Sequence, residues 1–134
     1  EAMAELEALC ATFAAARMTR IERQALEAIH EQLRTLIHSG DPQRYHEINE
    51  AFHAAIYNGA HNEYLAELTL TTRLRVAPFR RAQFRNLGRL AKSHAEHEQV
   101  LTAILRGECV RAGEAMRAHI TTVRKEYETY TRSL

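Results

Sequence analysis

The stretch Asp41-Pro42-Gln43-Arg44-Tyr45-His46-Glu47-Ile48-Asn49-Glu50-Ala51-Phe52-His53-Ala54-Ala55-Ile56-Tyr57-Asn58-Gly59 contains every signal a helix needs. Asp41 can cap the free backbone N–H groups of the first turn, and Pro42 suits the first helical position, where no N–H is required. Tyr45, Ile48, Phe52 and Ile56 then recur at helical spacing as one apolar stripe, and Gly59 ends it. At 100° per residue, Asn49 and His53 fall together on the inner edge of that stripe, one turn apart. An apolar face that also carries an amide and an imidazole predicts a bundle helix with polar chemistry aimed inwards.

The same period runs along the rest of the chain. A first helix is expected over Ala2–Arg17, with Met3, Leu6, Cys10 and Phe13 on one face. Thr19 with Glu22 forms a capping box that opens a second, which carries Leu26, Ile29, Leu33, Leu36 and Ile37 inwards and stops at Ser39-Gly40. Asn62 caps a fourth helix from Glu63 to about Phe84, with a kink expected at Pro78. Asn86-Leu87-Gly88 breaks the pattern, and Ser93 with Glu96 reads as another capping box, opening a fifth helix that closes at Arg106-Gly107. The sixth covers roughly Glu108–Tyr130, with Ala112, Ala115, Met116, His119 and Val123 inwards. Short links between long amphipathic helices make neighbours antiparallel. The fold class is therefore all-α, an antiparallel helical bundle of about six helices, with residues 1–134 forming one domain.

Composition narrows the functions. A chain of 134 residues can bury one core, and 5 Gly with 2 Pro are too few for a turn-rich β fold. Neither G-x-x-x-x-G-K nor G-x-G-x-x-G occurs, which excludes phosphate binding by those loops. No apolar run is long enough for a membrane span and no signal peptide is visible; with two unframed cysteines, Cys10 and Cys109, a cytoplasmic location is expected. Lys and Arg number 18 against 17 acidic residues, so the net charge of +1 gives no field for gripping DNA. The chain opens on Glu1 rather than Met and is expected to be a piece of a longer protein.

The 8 histidines stand out. His97 lies at the centre of the stripe of Val100, Leu101, Ile104 and Leu105, and His119 is equally central on the last helix. With His53, three helices each aim a histidine inwards, while His30, His38, His46, His61 and His94 fall at rims or ends. One inward histidine is ordinarily a hydrogen-bonded core residue. Burying three costs desolvation three times unless each finds a partner, and one metal ion satisfies all of them. Two constructions compete. Glu27-Ala28-Ile29-His30 and Glu50-Ala51-Phe52-His53 repeat the Glu-x-x-His motif of di-iron bundles, but that choice leaves His97 and His119 unused. The mononuclear choice uses His53, His97 and His119. Three histidines and an open position also form a catalytic zinc pattern, so a metal-dependent enzyme, di-iron oxidase or zinc hydrolase, is the alternative reading. It lacks a general base: Glu96 diverges by 100° from His97 and is occupied by its capping box. We therefore expect no enzyme.

A resemblance sharpens this. Asn49-Glu50-Ala51-Phe52-His53-Ala54-Ala55-Ile56-Tyr57, then His61-Asn62-Glu63-Tyr64-Leu65, resembles the FCD effector-binding domain of GntR-family transcription regulators. So do Ser93-His94-Ala95-Glu96-His97-Glu98-Gln99-Val100-Leu101, the closing Met116-Arg117-Ala118-His119-Ile120, and the opening Glu1-Ala2-Met3-Ala4-Glu5-Leu6-Glu7. The match covers essentially the whole chain in the right order, and the helix count is similar to the shorter, VanR-like subgroup. The resemblance implies a ligand-sensing, homodimer-forming domain that binds a small organic acid in the bundle core. It places DNA binding in an N-terminal winged helix-turn-helix domain absent from this chain. It also implies metal ligation by His53, His97 and His119 and by position 49, where the family usually has Asp and this chain has Asn49.

One divalent transition ion, Zn²⁺ or Ni²⁺, suits so many imidazoles. Held by neutral ligands, it would keep about +2 and attract an effector carboxylate. The effector's far end then needs a cation. Arg73, foremost, and Arg80, with Thr69 and Thr72, occupy neighbouring turns of the fourth helix near its inner stripe.

Overall fold

The computed structural model describes residues 1–83 and 87–133, with the side chains of 78–83, 87 and 130 set aside. It contains α1 (Ala2–Arg17), α2 (Arg20–Leu36), α3 (Pro42–Gly59), α4 (Glu63–Gln83), α5 (Leu87–Leu105) and α6 (Cys109–Ser133), and no strand among the described residues.

The first helix is the centre of the bundle, packed against α3, α4, α5 and α6. Its sequence explains this position. Ala4, Ala8, Ala11, Ala14 and Ala15 are buried together with Met3 and Cys10, so the helix is covered on most sides and leaves only a narrow strip with Glu5, Leu9 and Ala16 to water. Small side chains also let neighbours come close. A Cβ added at Gly113 of α6 would lie 2.3 Å from Thr12 Oγ1 and 3.3 Å from the Ala8 carbonyl, so only glycine fits that crossing. By contrast α2 is strongly amphipathic, buries only Leu26, His30 and Leu33, and lies outside against α3 and α5.

Contacts along the helices fix their directions. From Gly113 through Arg117 to Arg124, α6 meets Thr12, Glu5 and Glu1 in turn, so α6 runs antiparallel to α1. From His97 back to Arg89, α5 meets His119 and then Glu126, so α5 and α6 are antiparallel as well. Glu7 meets His53 while Arg17 reaches the Ala60 carbonyl, which makes α1 and α3 parallel.

The helix starts follow their capping residues. Thr19 and Glu22 exchange reciprocal bonds of 3.1 and 3.0 Å, Asp41 accepts from the Arg44 N–H at 3.0 Å, and Asn62 accepts from the Leu65 N–H at 3.0 Å. Gly107, at φ +70°, takes the left-handed turn between α5 and α6 that a side chain would strain.

One boundary differs from expectation. The fifth helix begins at Leu87, so Leu87-Gly88 is its first turn and Ser93-x-x-Glu96 lies inside it rather than capping it. The apolar stripe continues back through the fully buried Leu90, two turns before His97. Ser-x-x-Glu has the same spacing mid-helix as at a helix start, which is why the motif misleads. Pro78, where a kink is expected, lies within α4, which is one unbroken helix from Glu63 to Gln83, while Asn86 lies outside the described residues.

Candidate metal centre

Three helices bring three imidazoles to one point. His53 on α3, His97 on α5 and His119 on α6 are 0%, 0% and 3% exposed. The Nε2 atom of His97 lies 3.3 Å from Nε2 of His53 and 3.2 Å from Nε2 of His119. Phe52 stacks on the His97 ring at 4.4 Å between centroids and closes its face.

Proton accounting shows what the point lacks. His53 Nδ1 donates to Glu7 Oε1 at 2.6 Å, and His119 Nδ1 donates to Glu96 Oε1 at 2.5 Å. A carboxylate only accepts, so each Nδ1 carries the hydrogen and each Nε2 presents a lone pair inwards. His97 can offer one Nε2–H to one of these neighbours, not both. Its Nδ1 is buried without a hydrogen-bond partner among the described residues. Hydrogen bonds among the three therefore leave lone pairs facing one another, and a cation fits that arrangement.

The titration behaviour agrees. Burial, reinforced by Arg73, pushes His53 down from 6.5 to about 3. Burial, then the neighbouring His119 and His53, holds His97 well below its usual value. Burial also lowers His119 in spite of Glu96. All three are thus held neutral, the state in which imidazole binds metal.

Behind the histidines stand two assemblies of the same plan. Glu7 Oε1 also accepts from the Tyr57 hydroxyl at 2.5 Å and from Arg73 at 3.1 Å, and Arg73 turns its Nε and Nη2 to Glu50 at 2.6 and 2.8 Å. Burial opposes the Arg73 charge, but Glu7, Tyr57 and Glu50 outweigh it and raise the guanidinium pKa. On the other side, Arg89 donates to Glu96 Oε1 at 2.9 Å and pairs with Glu126 at 2.9 Å. Burial raises the Glu96 pKa, yet hydrogen bonds from His119 and Arg89 prevail and hold it below the usual carboxylate value.

The remaining expected residues fall as follows. Asn49 is buried, and its Oδ1 has no hydrogen-bond partner among the described residues. Arg73 is buried with its guanidinium already shared between Glu7 and Glu50. The Thr69 hydroxyl donates to the Leu65 carbonyl at 2.7 Å and lies 3.4 Å from Cys10 Sγ, while Thr72 donates to the Leu68 carbonyl. The side chain of Arg80 lies outside the described residues. Burial lifts the Cys10 thiol to about 11, which leaves it no nucleophile.

Three histidines read as peripheral are buried: His30, His46 and His94. His30 pairs with Glu98 and stacks on His94, with ring centroids 4.0 Å apart and planes 12° from parallel. Each imidazole lone pair lies in its own ring plane. Two rings stacked face to face therefore cannot both aim at one ion about 2 Å away, so this cluster packs α2 against α5. His30 is paired with Glu98, Glu27 is exposed and Glu50 turns to Arg73, so the paired Glu-x-x-His motifs do not assemble a di-iron site. The two glutamates that orient His53 and His119 were not read as functional. Glu7 had a signal, since it stands in the Met3–Cys10–Ala14 stripe where an ionised side chain needs a reason. Glu96 was hidden by the capping-box reading.

Comparison with known proteins gives two results. The family model of the FCD domain matches residues 1–122. Among solved structures, the chain is similar to Streptococcus agalactiae GntR, with a TM-score of 0.70, 22% identity and coverage of 92% of this chain. It is also similar to E. coli McbR/YncC, with a TM-score of 0.76, 22% identity and coverage of 94%. The chain spans 58% and 62% of the lengths of those two proteins. A search of curated protein sequences found no match.

Proposed function

The chain belongs to the FCD domain family, and on that premise we propose that it is the ligand-sensing domain of a GntR-type transcription regulator. It holds one divalent transition metal ion, Zn²⁺ or Ni²⁺, on His53, His97 and His119, with Asn49 as an oxygen ligand. FCD domains of these regulators are not enzymes. The observation that carries the metal reading is the convergence of three Nε2 atoms whose lone pairs hydrogen bonds among them can satisfy only in part. The Asn49 oxygen, one turn before His53 and without a hydrogen-bond partner among the described residues, supports the fourth ligand.

When bound, such an ion supplies residual positive charge and open coordination positions for the carboxylate of a small organic acid. The protein's own residues do the rest. Glu7 and Glu96 keep the Nδ1 hydrogens and so hold the Nε2 atoms ready. Along α4, Arg73 with Thr69, Thr72 and Arg80 receives the effector's far end. Because Arg73 is already shared between Glu7 and Glu50, it responds by exchanging one carboxylate for the effector's, which links effector charge to the helix packing. The domain works as a cytoplasmic homodimer, and DNA is read by a winged helix-turn-helix domain outside this chain. No described helix is long and apolar enough to cross a membrane.

Metal analysis of the purified protein tests this. One ion per chain is expected, with stoichiometric metal lost in both His97→Ala and His119→Ala. Full metal content in both variants would overturn the site.

A further inference from the structure

The two carboxylate-held histidines differ in how they meet solvent. On the His53 side, the side chains of His53, Glu7 and Arg73 are essentially sealed, with Tyr57 buried beside them. On the other side, the Glu96 side chain is 19% exposed. A groove of about 240 Å³ between α5 and α6 reaches both Glu96 and His119, walled by Gln99, Ala115, Ala118 and Thr122.

Resting on the metal reading above, we propose that the ion enters and leaves through this α5–α6 groove, meeting Glu96 first and His119 as the first of its three imidazoles. A divalent cation travels hydrated, and moving it bare through an apolar bundle is prohibitively costly. Its path must therefore hold water, offer oxygen, and end on an anion. The groove has room for several waters at about 30 Å³ each. Its walls are two alanines and two oxygen-bearing side chains, and the Thr122 hydroxyl spends its hydrogen on the Ala118 carbonyl, which leaves its lone pairs for water. Glu96, 19% exposed, stands in the groove as an acceptor. Arg89, the cation that balances Glu96, does not line the groove. On the His53 side the carboxylate that holds the imidazole, Glu7, is fully buried beneath Arg73, and the partly exposed Glu50 is paired with that same cation.

The same glutamate then serves twice. It draws the cation in, and through the His119 Nδ1 hydrogen it keeps the Nε2 lone pair turned inwards, so the ion passes the His119 ring before that nitrogen receives it. Glu96 is accordingly a positioning residue.

Co²⁺ uptake followed by visible absorbance in a stopped-flow mixer, with loss to an excess of chelator, tests the route. Ala118→Leu and Thr122→Leu fill the groove without touching a proposed ligand. Ala118 is exposed and Thr122 half-buried, and thermal melts verify that both variants fold. Association and dissociation should slow severalfold together in both, with Kd unchanged, while Ala28→Leu on the exposed side of α2 leaves both rates as they were. Unchanged rates in both filled variants, or a shifted Kd without slower exchange, would overturn the route alone. A wild-type protein that takes up no Co²⁺ would instead overturn the metal reading on which the route rests.

Discussion

His53 and His119 each donate an Nδ1 hydrogen to a glutamate that a buried arginine holds in place, yet their surroundings differ. Around His53, Glu7 and Arg73 have no access to water, and solvent reaches the assembly at its outer carboxylate, Glu50. Around His119, Glu96 keeps some contact with solvent, and Arg89 is shared with Glu126. The contrast teaches that similar hydrogen-bond patterns carry different energies. In a sealed assembly, losing one member strands the others; in a partly open one, water can replace it.

The largest expected effect follows directly. Glu7→Ala removes the partner of Arg73, His53 and Tyr57 together and should destabilise the metal-free protein by about 3–5 kcal/mol, as for other broken buried ion pairs. Glu96→Ala should cost clearly less. Equal losses in urea unfolding would break the comparison.

Acid is a gentler probe of the same difference. His53 titrates near 3 when folded and near 6.5 when unfolded, so between those values the unfolded chain binds more protons. Its contribution to stability is fully present above pH 6.5 and is lost as the pH falls towards 3. The metal-free protein should therefore weaken steadily on acidification from neutrality. His53→Gln should flatten that profile, which melting temperatures across the range would show. A profile as steep as the wild type's would mean that the sealed side is not where the proton sensitivity lies.

The smallest effect sharpens the picture at the centre itself. Asn49→Asp adds a negative charge one turn from His53, so metal affinity should rise and the pull on an effector carboxylate should fall. Calorimetry on both proteins should find the two affinities moving in opposite directions. An unchanged metal affinity would show that Asn49 does not face the ion.

The sequence made the helices legible wherever local chemistry decides them: the Thr19–Glu22 box, Asp41-Pro42 and Asn62 cap helices where expected. The inward aim of His53, His97 and His119 followed from period alone. The start of α5 was not legible, because Ser93-x-x-Glu96 offers the same spacing to a cap and to a helix interior. Nor were the roles of Glu7 and Glu96 as partners, since each meets its histidine across 46 and 23 residues of chain. Helical period tells which way a side chain points but not what it meets. His30 and His94 were misplaced for a related reason: they lie where α2 crosses α5, and a stripe judged one helix at a time omits that contact.

The central position of α1 also has a consequence in time. Its longest partner is α6, so the first helix of the chain packs along the last. Contacts of such high sequence separation form late, since a long loop must close before they yield any stabilisation. During synthesis, α1 leaves the ribosome with its apolar surface uncovered and with Glu7 still in water. Its α3, α4 and α5 sides are covered as those helices emerge, but the side that packs along α6 waits for that helix, which makes α6 the step that lets the domain close.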